Sequence, residues 1–274
     1  IKNKEPSTDP VHGRVKNVNF NWDFGFRLGA GYNFEHDEWD ANLCFTWYQC
    51  AAHSHTKARS GGSIIPEYGI LSDLGRKAKV EWNVGYYVLD AELGRHYFVS
   101  KFLSFRPFFG IETAWINQHM QFNEHILPGG PQSRQIVKNK NDFWGIGPRA
   151  GLTSNWHFCE SLSLFGKVSG ALLWGDFDIH EKEKAKGTTP LKLSNIDGDF
   201  HCIVPNAQMI LGIQYDVNFN DNCNHIGIML GYEFQYWWKQ NQILNNRATS
   251  SPTFERESGD LSLNGVTLDV RFDF

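Results

Sequence analysis

Apolar and polar residues alternate with a period of two over most of the chain. Between residues 18 and 34 every even position is apolar, from Val18 and Phe20 to Tyr32 and Phe34. The odd positions between them carry only Asn, Asp, Arg and Gly. A β-strand places two such sets on opposite faces, whereas an α-helix would scatter both around its circumference. The segment therefore predicts a strand with one apolar and one polar face.

The same alternation recurs in eight further segments, so the chain predicts nine strands. These segments are 39–47, 80–93, 103–115, 144–153, 162–174, 203–217, 226–238 and 266–274. In segment 80–93 the apolar set moves from even to odd positions between Val88 and Leu89. A phase change of one residue predicts a β-bulge at that point.

Short and long connections alternate between the predicted strands. The short turns are 35–38, 100–101, 157–161 and 220–224, and the long loops are about 51–76, 118–140, 176–201 and 239–259. Outer-membrane barrels have short turns at the periplasmic end and long loops outside. The pattern therefore predicts an all-β, antiparallel, up-and-down transmembrane β-barrel, with residues 1–274 as one domain.

The polar face of the strands is expected to point into the barrel. It carries charges in the middle of strands, among them Arg27, Glu112, Arg149 and Glu233, which would destabilise the core of a soluble barrel. It is also rich in glycine, which suits a narrow and strongly curved interior. The apolar face is left for the lipid.

Strand parity places twelve charged residues on the inner face as candidate pore-lining residues. They are Asp23, Arg27, Asp90, Glu92, Arg106, Glu112, Arg149, Lys167, Asp216, Glu233, Asp269 and Arg271. Two interpretations remain open, a salt-bridge network that fills a narrow barrel and a charged constriction of a pore. Because acids outnumber bases on this face, any conductance is expected to be weakly cation-selective.

Aromatic residues cluster near the strand ends on the apolar face, as in the interfacial girdles of membrane barrels. The candidates are Tyr32, Trp39, Trp47, Trp82, Trp115, Trp144, Trp174, Tyr236 and Trp238. The last alternating strand ends on Phe274, which we interpret as the assembly signal of an outer-membrane protein.

The number of predicted strands leads to a further expectation. Bacterial single-chain barrels have an even number of strands, and the last one ends at the periplasm. The first of the nine segments must then run inward, which places residues 1–16 outside as the remnant of an outer loop. A strand is expected before it, which gives about ten strands in the complete protein.

Composition narrows the class of protein. The chain has 274 residues, of which 41% are hydrophobic and 20% charged, with a net charge of −4. This balance and a pI near 6.3 argue against a nucleic-acid-binding protein. Mean hydropathy is −0.43, and no stretch approaches the roughly 20 apolar residues of a spanning helix.

No motif for catalysis or metal binding stands out, so we predict no enzyme, no cofactor and no metal site. The eleven histidines are best interpreted as solvated loop residues, and the pair His53 and His55 is a weak metal signal. No G-x-S-x-G motif is present. Cys159 and Cys223 fall in short turns, where a disulfide to a neighbouring envelope protein is one hypothesis.

Three segments resemble the major outer membrane protein family of Legionella and related Chlamydia-like bacteria. They are GFRLGAGYNFEHDEWDANLCFTW (25–47), DAELGRHYFVSKFLSFRPFFGIETAWINQ (90–118) and KNKNDFWGIGPRAGLTSNWHF (138–158). The resemblance implies an integral pore-forming protein of a Gram-negative outer membrane that passes small solutes and supports the envelope. The alternative is a closed barrel whose outer loops serve adhesion or surface recognition. Expected partners are outer-membrane lipid, lipopolysaccharide and the barrel-assembly machinery.

Overall fold

A computed structural model describes residues 15–35, 37–59, 62–64, 75–126, 132–159, 161–188, 190–219, 224–246 and 254–274. These ranges contain ten strands. They are β1 (Gly25–Asn33), β2 (Trp39–Lys57), β3 (Gly75–Arg95), β4 (Tyr97–Ser100), β5 (Leu103–Ile126), β6 (Gln132–His157), β7 (Leu162–Gly187), β8 (Leu191–Phe219), β9 (Asn224–Asn246) and β10 (Phe254–Asp273). The part of the chain so described has no helix of the length and apolar character needed to cross a bilayer.

The nine long strands form one antiparallel sheet in which each pairs with its neighbours along the chain. The prediction of nine alternating strands is therefore confirmed. The first begins later than expected, at Gly25, because residues 15–24 have no regular structure. The four-residue β4 was not predicted, and it pairs only with β5.

The sheet is rolled, although it does not close. The Tyr86 hydroxyl on β3 donates to Gln235 Oε1 on β9 at 2.5 Å, and Asn141 Nδ2 on β6 donates to the Gln240 carbonyl at 3.0 Å. Strands far apart in the sheet order thus face each other across an enclosed space. No ladder joins β1 to β10 within the described ranges.

Each strand has a buried inner face and an exposed outer face. On β7, Leu173 and Phe177 are fully buried, whereas the side chains of Leu172 and Trp174 are 56% and 68% exposed. The outer face is therefore apolar and uncovered along much of the sheet. A soluble barrel does not expose an apolar face of this extent to water.

Three of the four long connections expected, 118–140, 176–201 and 239–259, are mostly strand in the structure, whereas the fourth, 51–76, is strand at residues 51–57 and 75–76. For example, β7 continues to Gly187 and β8 begins at Leu191. The alternation persists there with its parity exchanged, because Phe177 and Ile179 point inward while Asp176 and Asp178 point outward. The sequence pattern predicted the end of the strand at the point where the apolar residues move to the other parity, but the strand continues beyond that point. We call these strand parts, residues 49–57, 75–86, 116–126, 132–143, 175–187, 191–202, 239–246 and 254–261, the extension.

The bulge predicted between Val88 and Leu89 is absent, and this prediction was wrong. Val88 pairs with Thr46 and Ala114 without a change of register on either side. The phase change has another cause, because the inner face itself changes from charged residues such as Asp90 to apolar ones such as Val88. Described register shifts lie instead near the outer ends of strands, for example between Gly259 and Leu261.

The apolar core lies inside the rolled sheet, at the start of the extension. It consists of Tyr86, Val88, Ala114, Ile116, Phe143, Ala171, Leu173, Phe177, Ile179, Val204, Trp237 and Leu261. The rings of Phe143 and Phe177 lie 4.7 Å apart, and those of Tyr86 and Trp237 lie 5.9 Å apart edge to face. Burial of each large side chain contributes about 1.5–3 kcal/mol. We call this group the apolar plug.

Candidate functional site

Directly next to the apolar plug, the inner face carries a layer of interlocked charges. Arg149 on β6 lies at its centre and is 4% exposed. Its Nη1 donates to Asp90 Oδ1 at 3.1 Å and to the carboxylate of Glu112, and its Nη2 donates to Gln208 Oε1 at 2.6 Å. One guanidinium thus ties β6 to β3, β5 and β8.

A second cluster lies on the side of the layer nearer the short turns. Arg106 donates from Nε to Asp40 Oδ2 at 2.8 Å, and its Nη1 lies 3.4 Å from Glu92 Oε2. Lys167 Nζ donates to Glu92 Oε1 at 2.9 Å and also lies 4.8 Å from the centre of the Phe108 ring. The two cations therefore share one acid and one aromatic side chain.

A third cluster joins the first and ninth strands of the sheet. Arg27 Nη2 donates to Glu233 Oε1 at 2.8 Å, and Arg27 Nη1 donates to Glu233 Oε2 at 3.2 Å. Thr267 on β10 donates to the same carboxylate at 2.9 Å. Gln208 Nε2 donates to Glu233 Oε1 at 2.7 Å, and because Gln208 also accepts from Arg149, the first and third clusters are continuous.

The network leaves little free space. A cavity of about 10 Å³ remains, bordered by Glu112, Arg149 and Gln208 and by the plug residues Tyr86 and Trp237. That volume is the size of about one water molecule. The charged layer and the apolar plug thus meet with little space between them.

Glycine makes room for the largest of these side chains. A Cβ atom placed on Gly94 of β3 would lie 2.6 Å from the guanidinium carbon of Arg106. A larger residue at that position would therefore displace the Arg106 guanidinium from its place against β3. Glycines on the inner face therefore serve the charged layer, as their frequency in the sequence indicated.

The structure places the predicted inner-face residues in three groups. Within the charged layer lie Arg27, Asp90, Glu92, Arg106, Glu112, Arg149, Lys167 and Glu233. Near the short turns lie Asp216, Asp269 and Arg271, where His225 joins Asp216 at 3.0 Å to Asp273 at 2.8 Å. Asp23 belongs to the irregular segment before β1, and its carboxylate accepts from the backbone N–H of Ala51 at 3.3 Å.

Besides Thr267, three further participants in the layer were not among the candidates. Asp40 binds Arg106, while Asn206 and Gln208 on β8 bind the carboxylates of Glu112 and Glu233. All three lie on the polar parity of their strands. Parity alone could therefore have found them, and restricting the candidates to charged strand middles left them out.

Most of the predicted girdle lies on the exposed outer face. Tyr87 on β3 has Trp47 of β2 on one side and Trp115 of β5 on the other, and Trp144 of β6 lies beyond Trp115 in the same row. Trp174, Tyr236 and Trp238 continue this side on β7 and β9, while Tyr32 and Trp39 lie toward the opposite end. We call the row that contains Trp47, Tyr87, Trp115 and Trp144 the aromatic row.

Trp82 is placed differently from the other predicted aromatics. Its strand neighbours are Ala52 and Met120, both buried on the inner face, and its ring meets Phe20 edge to face at 5.4 Å between centres. It was assigned to the outer set because the apolar parity of β3 changes below it. Phe274, the predicted assembly signal, follows β10 and is fully exposed.

The remaining candidate chemistry is sparse. Cys44, Cys50, Cys159 and Cys202 are free thiols, of which Cys159 is exposed in the turn after β6. Cys223 lies outside the described residues. Within the described ranges, no group of three or more His, Cys, Asp or Glu residues has an arrangement that could hold a metal ion.

A buried carboxylate pair lies within the extension. Glu181 and Glu183 occupy successive inner positions of β7 and are almost fully buried. Burial, and after it the neighbouring Glu183 carboxylate, raise the pKa of Glu181 to about 7, whereas the hydrogen bond from Ser194 acts in the opposite direction. Glu181 therefore titrates near neutral pH.

Comparison with known proteins agrees with this architecture. The sequence model of one family, described as the Legionella pneumophila major outer membrane protein precursor, matches residues 1–274. No curated protein and no solved structure shows a significant match. The match covers the entire chain, as the resemblance of the three quoted segments predicted. The chain belongs to the family of the Legionella pneumophila major outer membrane protein.

Proposed function

We propose that this protein is an integral β-barrel of the bacterial outer membrane whose interior is closed at rest. It stabilises the envelope and presents the extension at the cell surface for adhesion or recognition. The observation that carries the proposal is the filled interior, in which the charged layer and the apolar plug lie one above the other. We assign no catalytic role, in keeping with a family of structural outer-membrane proteins.

The outer face supports the membrane placement. Trp39 and Trp47 lie on this face of β2, eight residues apart, with apolar side chains between them. Eight residues span roughly 26 Å along a strand, which corresponds to about 20 Å along the bilayer normal at a tilt of about 40°. This height is close to that of the apolar band of membrane barrels, about 25 Å. The short turns then lie in the periplasm and the extension outside.

The contents of the barrel support a closed resting state. Water and ions cross a membrane protein only where a continuous polar path exists. Here the path ends at plug residues such as Ile116 and Phe177, which are fully buried. The carboxylates and guanidinium groups below the plug bind one another, so among the described residues the three clusters offer no unpaired charge to a solute.

A second candidate function is a narrow conduit for ions or small solutes, as expected of a porin-like protein. The observation that favours it is the composition of the charged layer, which consists of side chains and not of backbone. Side chains can exchange partners without unfolding of the sheet, and Glu92 and Glu233 would then line a path once such an exchange released them from their ion pairs. Passive diffusion of small solutes would follow such an exchange.

Conductance in planar bilayers separates the two functions. We expect the wild-type protein to give no stable current steps, and the variant Phe143→Ala/Trp237→Ala to give them, because the plug is then shortened. The matched control is Trp144→Ala/Trp174→Ala, which removes similar rings from the outer face. Stable steps from the wild-type protein, or solute-dependent swelling of vesicles that contain it, would establish the conduit instead.

A further inference from the structure

A group of cationic side chains lies on the outer face of the extension and takes no part in the charged layer. Its members are Arg134 and Lys138 on β6, Lys182, Lys184 and Lys186 on β7, and Lys192 on β8. All five lysines are exposed and Arg134 is half-buried. We call this group the cationic patch.

Sheet register places cations of the patch directly opposite one another. Lys138 is the partner of Lys182, and Arg134 is the partner of Lys186. On the other side of β7, Lys184 is the partner of Lys192. Cβ atoms of directly opposed residues lie about 4.5–5.5 Å apart, and like charges in such positions destabilise a sheet.

The positive charges of the patch are not compensated by acids of the described residues. No ion pair joins any of its six members to an acid within the described ranges, whereas the cation next along β6, Lys140, binds Asp142. Two acids closer to the membrane have a partner of their own, because His180 lies 3.2 Å from Asp178 and also binds Asp197. An external anion would therefore relieve the repulsion.

The position of the patch identifies the kind of anion. Its side chains project sideways from the same face of the sheet that carries the aromatic row. Lys138 lies six residues beyond Trp144 on β6, which corresponds to roughly 15 Å above the row at a strand tilt of about 40°. Given the membrane placement proposed above, this height is that of the sugar headgroups of the outer leaflet and not of the bulk medium.

We propose that the cationic patch binds the phosphorylated oligosaccharide headgroup of lipopolysaccharide. Lysine ammonium groups and the guanidinium of Arg134 would donate charge-assisted hydrogen bonds to its phosphate oxygens. Because three opposed pairs lie side by side across β6, β7 and β8, the patch can bind more than one phosphate of the same headgroup. Bound glycolipid would then hold the extension upright and shield its like charges.

The test is a binding measurement on the folded protein in detergent micelles. The probe is the phosphorylated core oligosaccharide released from lipopolysaccharide, compared with the same material after enzymatic dephosphorylation. The variant is Lys138→Gln/Lys182→Gln, which removes one opposed pair. The control is Lys101→Gln/Lys239→Gln, which removes two exposed lysines outside the patch, one in the turn before β5 and one on β9. Resistance of the folded band to detergent without heating verifies that both variants fold.

We expect the patch variant to bind the phosphorylated probe roughly tenfold to thirtyfold more weakly than the wild-type protein. The control should bind nearly as well as the wild type, and the dephosphorylated probe should bind weakly to all three. Equal losses of affinity in both variants would show that net charge alone explains the binding, and would overturn the assignment of the binding site to the patch. Equal or tighter binding of a soluble polyanion such as a heparin oligosaccharide would overturn the assignment to lipopolysaccharide. Neither result depends on whether the barrel conducts.

Discussion

Arg27 on β1 and Glu233 on β9 are 206 positions apart in the chain and form a two-pronged ion pair, with N–O distances of 2.8 and 3.2 Å. The pair passes over β10, whose Thr267 donates to the same carboxylate. It therefore links the edge strand β1 to β9 and, through Thr267, to the other edge strand β10, and within the described ranges no backbone ladder joins the two edges. Each partner is largely withdrawn from solvent, so the loss of one leaves an uncompensated charge inside the rolled sheet.

The first prediction concerns this link. Arg27→Ala should lower the free energy of unfolding by about 3–5 kcal/mol, because Glu233 is then buried without its cation. The measurement is a urea titration followed by tryptophan fluorescence in detergent. The exchanged variant Arg27→Glu/Glu233→Arg should recover part of the loss. If the single and the exchanged variants both had the same free energy of unfolding as the wild type, the stability of the protein would not depend on this ion pair.

The second prediction concerns the centre of the charged layer. Arg149→Ala removes the partner of Asp90, Glu112 and Gln208 together, and it should reduce the heat-modifiable folded band on gels more than Arg59→Ala does. Arg59 is an exposed arginine beyond the end of β2 and serves as the matched control. The cost at Arg149 is expected to be about 3–5 kcal/mol, because buried acids lose their counter-charge. Equal folding of the two variants would contradict a structural role for the layer.

The third prediction concerns the apolar plug. Trp237 is 1% exposed and its ring packs on Tyr86, so Trp237→Ala should destabilise the protein by about 3–5 kcal/mol. Trp174→Ala changes the same residue type on the outer face, where 68% of the side chain is exposed, and should cost less. Both can be compared by the midpoint of thermal unfolding in detergent. A larger loss for Trp174→Ala would show that the outer face and not the plug determines stability.

The fourth prediction is a dependence of the extension on pH. The pKa of Glu181 is raised in the folded protein to about 7, mainly by burial and then by Glu183, so the folded state binds the proton more tightly than the unfolded state. Its contribution to stability is fully present below the unfolded pKa, near 4.5, and is lost as the pH rises through about 7. Amide hydrogen exchange in β7 should therefore be faster at pH 8 than at pH 5, after correction for the intrinsic rate.

The variant Glu181→Gln isolates this effect. It keeps the shape of the side chain and removes the titration, so protection in β7 should become nearly independent of pH between 5 and 8. Asp260 is an exposed acid of the extension on β10, and Asp260→Asn provides a control that should leave the pH dependence in β7 unchanged. A pH dependence that persists in Glu181→Gln would assign the titration to another group.

The local pattern of the sequence was sufficient for the strands and for most of the charged layer. A period of two separates the faces of a strand whatever its surroundings, so the positions of Arg27, Arg106 and Arg149 on one face could be predicted without any knowledge of pairing. The same parity would have added Asp40 had the strand ends been included, and Gln208 had uncharged polar residues been included. The tryptophans on the outer face of β2, β5, β6 and β7 followed for the same reason.

The alternation of apolar and polar residues could not show which side chains the inner face of a strand contacts at each level along the sheet. In the lower part of the sheet it meets other charged strands, and in the extension it meets the apolar plug, so the apolar parity is exchanged between Val88 and Leu89. The sequence by itself therefore determined the strands, their two faces and the family. Only the tertiary structure decided that three of the four predicted long loops are mainly strand, that Trp82 points inward and that charged and apolar side chains pack inside the rolled sheet, because those properties depend on which strands meet across it.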